Sequence, residues 1–410
     1  MRKSLFVIGV AMLSLTATAQ ENEFNVDAQL RTRGEHNHGA ITPVNEGGQS
    51  ANFVNERARL GLGFKRGDLE MKAAVQHTGL WGQDGMKEAN GRATMNEAWA
   101  KLTFAEKFFA QIGRQQLAYD DERILGTLDW NVNGNWHDAL KLGYEDAHNK
   151  VHAILSMNQT AENNRGDYYD GPMPYKSMQT LWYHYHSEML PLDVSLLAMN
   201  LGLEVGVEGH GRTNYMQTFG TDINFRPIDW NVHAAFYYQM GEDIYGRNIS
   251  AMMASAKAEF DIYPLMKVHA GYDYLSGNKD RKEQRAFDAL YGTHHQFYGA
   301  MDLFPGYLTL GLHDIYAGAT SQAFNKLKLQ LDYHYFMTVE KPGALSKTLG
   351  HEIDLQASYQ LAKDVTVMGG FSTMLGTETL DAVKGGSHKK FQDWAWLQLN
   401  INPRLFSAKW

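Results

Sequence analysis

Arginines occupy alternate positions in two neighbouring segments near the N-terminus. Arg31 and Arg33 lie in the first segment, Arg57 and Arg59 lie in the second, and a third segment adds Lys72. Side chains two residues apart project from the same face of a β-strand. The spacing therefore predicts a ladder of positive charge on one face. Guanidinium groups bind carboxylates through paired hydrogen bonds, so such a ladder is suited to an anionic solute.

Three tryptophans are predicted to share that face. Trp394 and Trp396 lie in the last segment of the chain, and Trp99 lies in a nearby one. Rings beside arginines suit a sugar chain that bears carboxylates, since the rings stack on the sugar and the arginines pair with its charges. The alternative is that the tryptophans form an interfacial girdle and the arginines pair with carboxylates to stiffen a water-filled interior. Those carboxylates would be Asp27, Glu70 and Glu97.

A further candidate is the segment GRQQLAYDDERILGTLDW at residues 113–130. A strand ending near Arg114 runs there into a loop that is crowded with charged and aromatic side chains. We expect this loop to fold into the mouth of the molecule, held by pairs between arginine and carboxylate groups. A solvated surface loop is the alternative. The side chains concerned are Tyr119, Asp120, Asp121, Glu122, Arg123 and Trp130.

The sequence offers little for an enzymatic site. It contains no serine-hydrolase, Walker or dinucleotide-binding motif. The pair His184 and His186 lacks the carboxylate-bearing signature of a metal site. A barrel-scaffold hydrolase built from His294, His295 and the acidic residues 120–122 remains an alternative. No enzyme, catalytic residue, metal or cofactor is predicted.

The elements that position these residues are predicted to be β-strands. Ala58, Leu60, Leu62 and Phe64 alternate with polar or small residues, and this pattern recurs along the chain. The 410 residues contain no cysteine and have a mean hydropathy of -0.42. That value excludes a helical membrane bundle but not a β-barrel, in which apolar positions meet lipid and the alternate positions face the lumen. The net charge of -8 argues against nucleic-acid binding.

The connections distinguish a barrel from a soluble sandwich. Long and short connections alternate strictly, which is typical of outer-membrane barrels whose tight turns face the periplasm. The chain offers 18 candidate strands, the fourteenth at about residues 306–318, and an even count puts both termini in the periplasm. The predicted fold class is all-β: a transmembrane antiparallel β-barrel of about 18 strands that follows an N-terminal signal peptide.

The first residues have the features of a cleaved secretory signal. Arg2 and Lys3 precede an apolar run at residues 5–15, and Ala17 and Ala19 follow in the pattern of a cleavage site. The expected domains are a signal peptide at residues 1–19 and one barrel at residues 20–410. The expected location is the bacterial outer membrane, in contact with its lipids.

The loop segment resembles a known family, the outer-membrane alginate-export β-barrels. The resemblance continues at residues 287–302 and in the ending LNINPRLF. It implies an 18-stranded barrel with an electropositive, loop-gated conduit for an anionic exopolysaccharide. It also implies that Arg114 and Arg123 are functional basic residues. His137 departs from the aromatic residue that is usual in the family. The matching positions in the loop are 113–115, Leu117, Tyr119, Arg123, Gly126 and Trp130, with Asp138 and Ala139 opening the next strand.

The predicted function is passive transport of an anionic solute, a carboxylated polysaccharide or oligosaccharide, through an arginine-lined and loop-gated lumen. A general porin or an uptake channel for small organic anions is the alternative. Periplasmic export components are further candidate partners. The predicted gating loop consists of Tyr119, Asp120, Asp121, Glu122 and Trp130. The predicted pore-lining residues are Arg31, Arg33, Arg57, Arg59, Lys72, Trp99, Arg114, Arg123, Trp394 and Trp396.

Overall fold

The fold consists almost entirely of antiparallel strands. The computed structural model describes residues 21–86, 92–262, 265–278 and 282–410, so the predicted signal peptide lies outside the described residues. No helix in these ranges is long and apolar enough to cross a bilayer. The strands are β1 (Asn22–His38), β2 (Ala51–Arg66), β3 (Leu69–Leu80), β4 (Ala93–Phe104), β5 (Phe108–Gln115), β6 (His137–Glu145), β7 (Asn149–Met157), β8 (Ser177–Ser187), β9 (Leu192–Val205), β10 (Arg212–Phe225), β11 (Trp230–Glu242), β12 (Asn248–Ile262), β13 (Met266–Leu275), β14 (Leu312–Phe324), β15 (Leu327–Met337), β16 (Thr348–Ala362), β17 (Val365–Gly376), β18 (Gln392–Ile401) and β19 (Arg404–Lys409).

The sheet closes on itself at β1. This strand pairs with β2 on one side and with β18 and β19 on the other. β18 and β19 together occupy one strand position in the sheet. Only Asn402 and Pro403 separate them, and the Pro403 carbonyl still accepts a 3.0 Å hydrogen bond from Ala28 N–H. The barrel therefore has 18 strand positions, as the sequence predicts.

The two rims differ as expected. Turns of two to four residues join the strands at the rim that carries both termini, and most of the connections at the other rim are longer. Helix α1 (Glu378–Lys384) lies in one of these longer loops and is capped by Thr377, whose hydroxyl accepts a bond from Leu380 N–H. By the convention of outer-membrane barrels, the short turns are periplasmic and the long loops extracellular.

The outer surface is apolar and carries aromatic rings near both rims. Leu60 and Leu397, for example, expose 48% and 64% of their surface. Tyrosines lie nearer the loops, at Tyr215, Tyr238, Tyr272 and Tyr333. Such rings are typical of the two membrane–water interfaces. Those beside the short turns are Phe104, Phe108, Tyr185, Phe225, Trp230, Phe324, Tyr359 and Phe406.

The interior near the loop rim is packed, which the sequence pattern did not predict. Two extracellular loops fold into the barrel, residues 116–136 and the described residues 276–278 and 282–311, and Leu125 pairs with Tyr291 in an isolated β-bridge between them. Many inward strand positions at this level are apolar because they contact the loops instead of water. The buried cluster includes Leu117, Ile124, Phe287, Tyr298 and Phe304 from the loops, and Ile154, Met178, Met199, Met253 and Phe336 from the strands.

The second infolded loop also corrects one strand boundary. The fourteenth strand begins at Leu312, not near residue 306. Residues 306–311 alternate in hydropathy as a strand would, but Leu308 is 6% exposed and packs in the interior cluster. A short alternating run inside a packed loop is thus indistinguishable, by sequence, from the start of a strand.

Candidate arginine site and infolded loop

The four predicted ladder arginines lie together on the inner face of β1 and β2. Arg31 lies opposite Arg57 in the antiparallel register, and Arg59 lies opposite Gln29. Arg31, Arg33 and Arg57 are 5%, 7% and 0% exposed, whereas Arg59 is half-buried. The parity of the strand pattern predicted this shared face, but not that three of the arginines would be shielded from the lumen.

The first infolded loop covers these arginines. Arg31 donates to the backbone carbonyls of Asp129 and Asn131, the latter at 2.9 Å. Arg33 donates to the Trp130 carbonyl at 3.0 Å. Backbone carbonyls of a loop therefore accept hydrogen bonds from two arginines that were predicted to line an open pore, and Arg33 Nε also donates to Glu35 Oε1 at 2.8 Å.

Arg57 is the most buried member of the ladder. Its Nε donates to Gln29 Oε1 at 2.7 Å, and its Nη2 lies 2.8 Å from Asp129 Oδ1. Its Nη1 is buried and has no hydrogen-bond partner among the described residues. Asp129 Oδ2 also lies 3.5 Å from Arg31 Nη1, so one carboxylate bridges two arginines.

The carboxylates beside the ladder are too few to neutralise it. In the part of the chain that the structure describes, ion pairs join the four guanidinium groups to only Asp129 and Glu35. The carboxylates named in the alternative have other partners: Asp27 pairs with Arg404, Glu70 with Lys65, and Glu97 with Lys72. The arginine ladder therefore retains an excess of positive charge.

Trp130 fixes the loop against the aromatic residues of the barrel wall. Its ring stacks on His295 at 4.2 Å between centroids, with planes 12° apart. It also forms edge-to-face contacts with Trp396 and Trp394, with 4.8 and 5.8 Å between ring centroids. The Arg33 guanidinium lies 3.9 Å from the centroid of the Trp130 ring. Trp394 and Trp396 are 4% and 6% exposed and face inward, so the girdle alternative is wrong for these two residues.

Arg123 anchors the same loop to the opposite wall. Its Nη groups contact both oxygens of Asp273 on β13, at 3.1 and 3.2 Å, and its Nε lies 2.6 Å from Asp121. Its guanidinium also lies 4.0 Å from the centroid of the Phe297 ring. Burial alone would lower the pKa of Arg123, but the Asp273 and Asp121 carboxylates raise it well above its ordinary value. Arg123 is 4% exposed, so it does not line the lumen as predicted.

The remaining side chains of the predicted gating loop also bind the interior. The Tyr119 hydroxyl lies 3.0 Å from His152 Nδ1, and Trp182 Nε1 donates to Asp120 at 3.0 Å. Burial raises the pKa of Asp120 to about 6. Glu122 accepts hydrogen bonds from Thr127 and Thr293. The prediction that this segment folds inward with arginine–carboxylate pairs therefore agrees with the contacts.

Arg59, Lys72 and Trp99 lie nearer the periplasmic rim, on a cavity of about 510 Å³. Arg59 donates to Gln76 Oε1 at 2.7 Å. Lys72 Nζ lies 2.6 Å from Glu97, and Trp99 Nε1 donates to the same carboxylate at 3.1 Å. These three residues line a solvent-accessible part of the inner wall.

Arg114 is placed differently from the prediction. It lies opposite Asp138 and Ala98 on the outward face of its strand, which it shares with Ile112, a residue 62% exposed. It forms a bidentate pair with Asp138 at 2.8 and 2.9 Å. The resemblance implied this residue by motif position alone, whereas strand parity directs it away from the lumen.

Another part of the inner wall, on β14 and β16, is acidic, and β16 lies three strands from β1 in the sheet. Glu352 and Asp314 are fully buried, and Asp354 is 2% exposed. The second infolded loop binds there, since Met301 N–H donates to Glu352 at 2.8 Å and Ala300 N–H to Asp354 at 3.4 Å. Sequence reasoning missed Glu352, although its spacing from Asp354 on one strand face was a usable signal. The buried charges of the interior are thus grouped by strand, with arginines on β1 and β2 and carboxylates on β14 and β16.

Two further polar clusters, one seen only in the structure and one from the alternative hydrolase site, are already occupied by protein partners. Asp121, Asp222 and His233 form one group that could hold a metal ion. Asp121 is bound by Arg123, however, and His233 Nε2 lies 2.6 Å from Asp222. His295, from the alternative hydrolase site, lies 2.9 Å from Asp302 and stacks on Trp130.

Comparisons with known proteins agree with this architecture. A family model described as alginate export matches residues 22–374. The chain belongs to the alginate export family. No curated protein sequence matches it.

Several solved structures, a porin among them, share the fold of this alginate export family barrel. OccAB1 of Acinetobacter baumannii has a TM-score of 0.67 at 12% identity, over 93% of this chain and 97% of that one. A BenF-like porin of Pseudomonas fluorescens has a TM-score of 0.63 at 12% identity, over 93% and 99% of the two chains. OccK2 of Pseudomonas aeruginosa, solved in complex with glucuronate, has a TM-score of 0.61 at 13% identity, over 93% and 98%.

Family and fold together place the molecule in the bacterial outer membrane. They are those of export channels and porins, so this alginate export family member has a channel architecture. Within this barrel, the arginine ladder and the loop that covers it are the features on which a function can be proposed.

Proposed function

We propose that this protein is a passive outer-membrane channel for an anionic solute, specifically a carboxylated oligosaccharide or polysaccharide. The observation that carries the proposal is the ladder of Arg31, Arg33, Arg57 and Arg59, whose positive charge exceeds that of the carboxylates paired with it. A lining of this kind lowers the barrier to an anion that sheds water as it passes. No chemistry on the solute is required.

The aromatic residues beside the ladder favour a sugar. Trp130, Trp394 and Trp396 form a contiguous cluster next to Arg33. Rings of this kind stack against the apolar faces of pyranoses, while guanidinium groups bind the carboxylates. The complex of OccK2 with glucuronate, a carboxylated sugar, is in keeping with this proposal, as is the description of the family.

In this proposal, residues 116–136 act as the gate. The loop closes over the arginines through Asp129 and Trp130 and is held on the far side by Arg123. Passage of a solute then requires the loop to leave the ladder at least locally. Tyr119, Asp120, Asp121 and Glu122 stabilise the closed position. Residues 1–19 direct export and are removed, which leaves the barrel of residues 20–410.

Reversal potentials in planar bilayers, measured under a salt gradient, test the proposal. The wild type is expected to prefer anions, and replacing the two central ladder residues, Arg57→Ala and Arg59→Ala together, should shift the reversal potential towards cations. The matched control is Lys257→Ala with Lys267→Ala, which removes two inner-wall cations far from the ladder. An equal shift in both double variants, or no shift in either, would refute a selective role for the arginines.

A further inference from the structure

Asp129 lies where a carboxylate of the proposed solute would bind. Its Oδ1 is 2.8 Å from Arg57 Nη2, and its Oδ2 is 3.5 Å from Arg31 Nη1. The carboxylate therefore bridges two arginines of the ladder, which is the geometry expected of a bound uronate. It belongs to the infolded loop, so the chain itself supplies this anion.

The exposure of the three side chains is unequal. The Arg57 and Arg31 side chains are 0% and 6% exposed, whereas the Asp129 side chain is 55% exposed. The two cations are thus removed from water, while the anion between them remains accessible. A solute approaching through the lumen would meet Asp129 first and could take its place without crossing a packed core.

The arginines retain binding capacity that Asp129 does not use. Arg57 Nη1 is buried without a hydrogen-bond partner in the described ranges. Leaving a donor of a buried charged group unsatisfied is costly. A larger anion with two or more oxygens could satisfy both Nη groups of Arg57, which the single bond from Asp129 does not.

We infer that Asp129 is a tethered competitor of the solute, which occupies the carboxylate subsite of the ladder when the channel is closed. This inference rests on the proposed function. A solute carboxylate exchanges with Asp129 at Arg57 and Arg31, and the loop is released as the exchange occurs. Because Asp129 is tethered, it competes for the arginines at an effective concentration in the millimolar range or above. Weakly binding anions therefore do not displace it. Carboxylates presented at high local density, as along a polyuronate, do displace it.

Current block by glucuronate, on single channels of the full-length protein, tests the inference. Asp129→Asn keeps the size of the side chain but removes its charge, and it should lower the half-blocking concentration of glucuronate about tenfold by removing the competitor. Glucose, a neutral sugar of similar size, should block both proteins equally. The matched control is Asp261→Asn, which removes an exposed inner-wall carboxylate that pairs with Lys267.

The outcomes separate this inference from the proposed function. If the wild type prefers anions but Asp129→Asn binds glucuronate no better than Asp261→Asn does, Asp129 is not a competitor and the channel proposal stands. If neither the wild type nor Asp129→Asn prefers anions, the proposed function itself fails. Asp129→Ser provides a second, smaller variant, and heat-dependent migration in gels reports that each barrel has folded. A lower half-blocking concentration in both Asp129 variants supports the inference.

Discussion

The hydroxyl of Thr293 donates a 2.7 Å hydrogen bond to the Glu122 carboxylate, across a separation of 171 residues in the sequence. The same oxygen of Glu122 accepts bonds from the backbone N–H and the hydroxyl of Thr127, at 2.8 and 3.0 Å. One carboxylate therefore joins the two infolded loops. The loops act as a single packed unit inside the barrel, and a change at this junction should affect both.

Replacing Glu122 by alanine should loosen both loops. The change leaves two hydroxyls and one N–H without their acceptor, at a cost of about 1–3 kcal/mol. Hydrogen exchange should therefore become roughly tenfold or more faster in residues 116–136 and 290–298. The control is Glu283→Ala, at a half-exposed position that pairs with Arg285. Faster exchange confined to one loop would contradict the coupling of the two.

Replacing Arg123 by methionine should destabilise the protein strongly. The variant leaves the buried Asp273 without its bidentate partner, and removing one member of a buried ion pair costs about 3–5 kcal/mol. The free energy of unfolding in urea measures the loss. Changing Asp273 to leucine in the same protein should restore much of it, because the most deeply buried unpaired carboxylate is then removed and the remaining one, Asp121, lies 3.8 Å from His233. Failure of the second substitution to recover any stability would argue against this assignment of the cost.

Docking of the first loop should strengthen as the pH falls from about 6 towards 4. Burial raises the pKa of Asp120 to about 6, above the value for an exposed aspartate. The neutral carboxyl is thus favoured in the docked loop, so its stabilising contribution is complete below the exposed pKa and is lost as the pH rises through about 6. In the wild type, the open probability in bilayers should therefore increase as the pH rises from about 4 to about 6.

Asp120→Asn should remove that part of the pH dependence, since its side chain does not titrate. Asp167→Asn, at an exposed position that pairs with Lys176, serves as the control and should retain the wild-type profile. Histidines that face the same cavity, His184 and His233, titrate in all three proteins, so the difference between the profiles isolates Asp120. Identical profiles for all three proteins would show that another group is responsible.

Replacing Trp130 by alanine should raise the conductance. The variant loses the stack on His295, the contacts with Trp394 and Trp396, and the cation–π contact with Arg33. Loss of a packed tryptophan costs about 3–5 kcal/mol, enough to release the loop from the ladder. Trp81→Ala, at a residue 64% exposed in another loop, should conduct as the wild type does. An unchanged conductance in Trp130→Ala would mean that the loop does not obstruct the pore.

The sequence predicts the strands of the barrel wall far better than the loops and contacts that fill the interior. Alternation of Leu60 and Leu62 with Arg57 and Arg59 is enough to orient a strand, since side chains two apart share a face. The strict alternation of long and short connections then gives the number of strands. Both signals are local, and each is repeated many times along the chain.

The packing of the interior depends on contacts between residues far apart in the sequence, which no local pattern encodes. Alternation correctly places Arg31 on the inner face, but it does not indicate the hydrogen-bond partner, which is the Asn131 carbonyl about 100 residues further along the chain. For Arg114, the position in the family motif gave a wrong prediction of a pore-lining side chain. Strand alternation places Arg114 on the same outward face as Ile112. The apolar inward residues, such as Met199, break the two-face pattern, and that break is the one sequence feature that could have indicated a packed interior.

The anchoring of the first loop also sets an order of assembly. Arg123 reaches Asp273, which lies 150 residues later in the chain. Residues 116–136 therefore cannot reach their final position until the thirteenth strand has entered the sheet, whichever end inserts first. A barrel in the process of insertion must hold this segment undocked, with its apolar side chains uncovered, for more than half of the building process. Entry of the strands into the sheet and sealing of the interior are consequently separate events, and the second depends on the first.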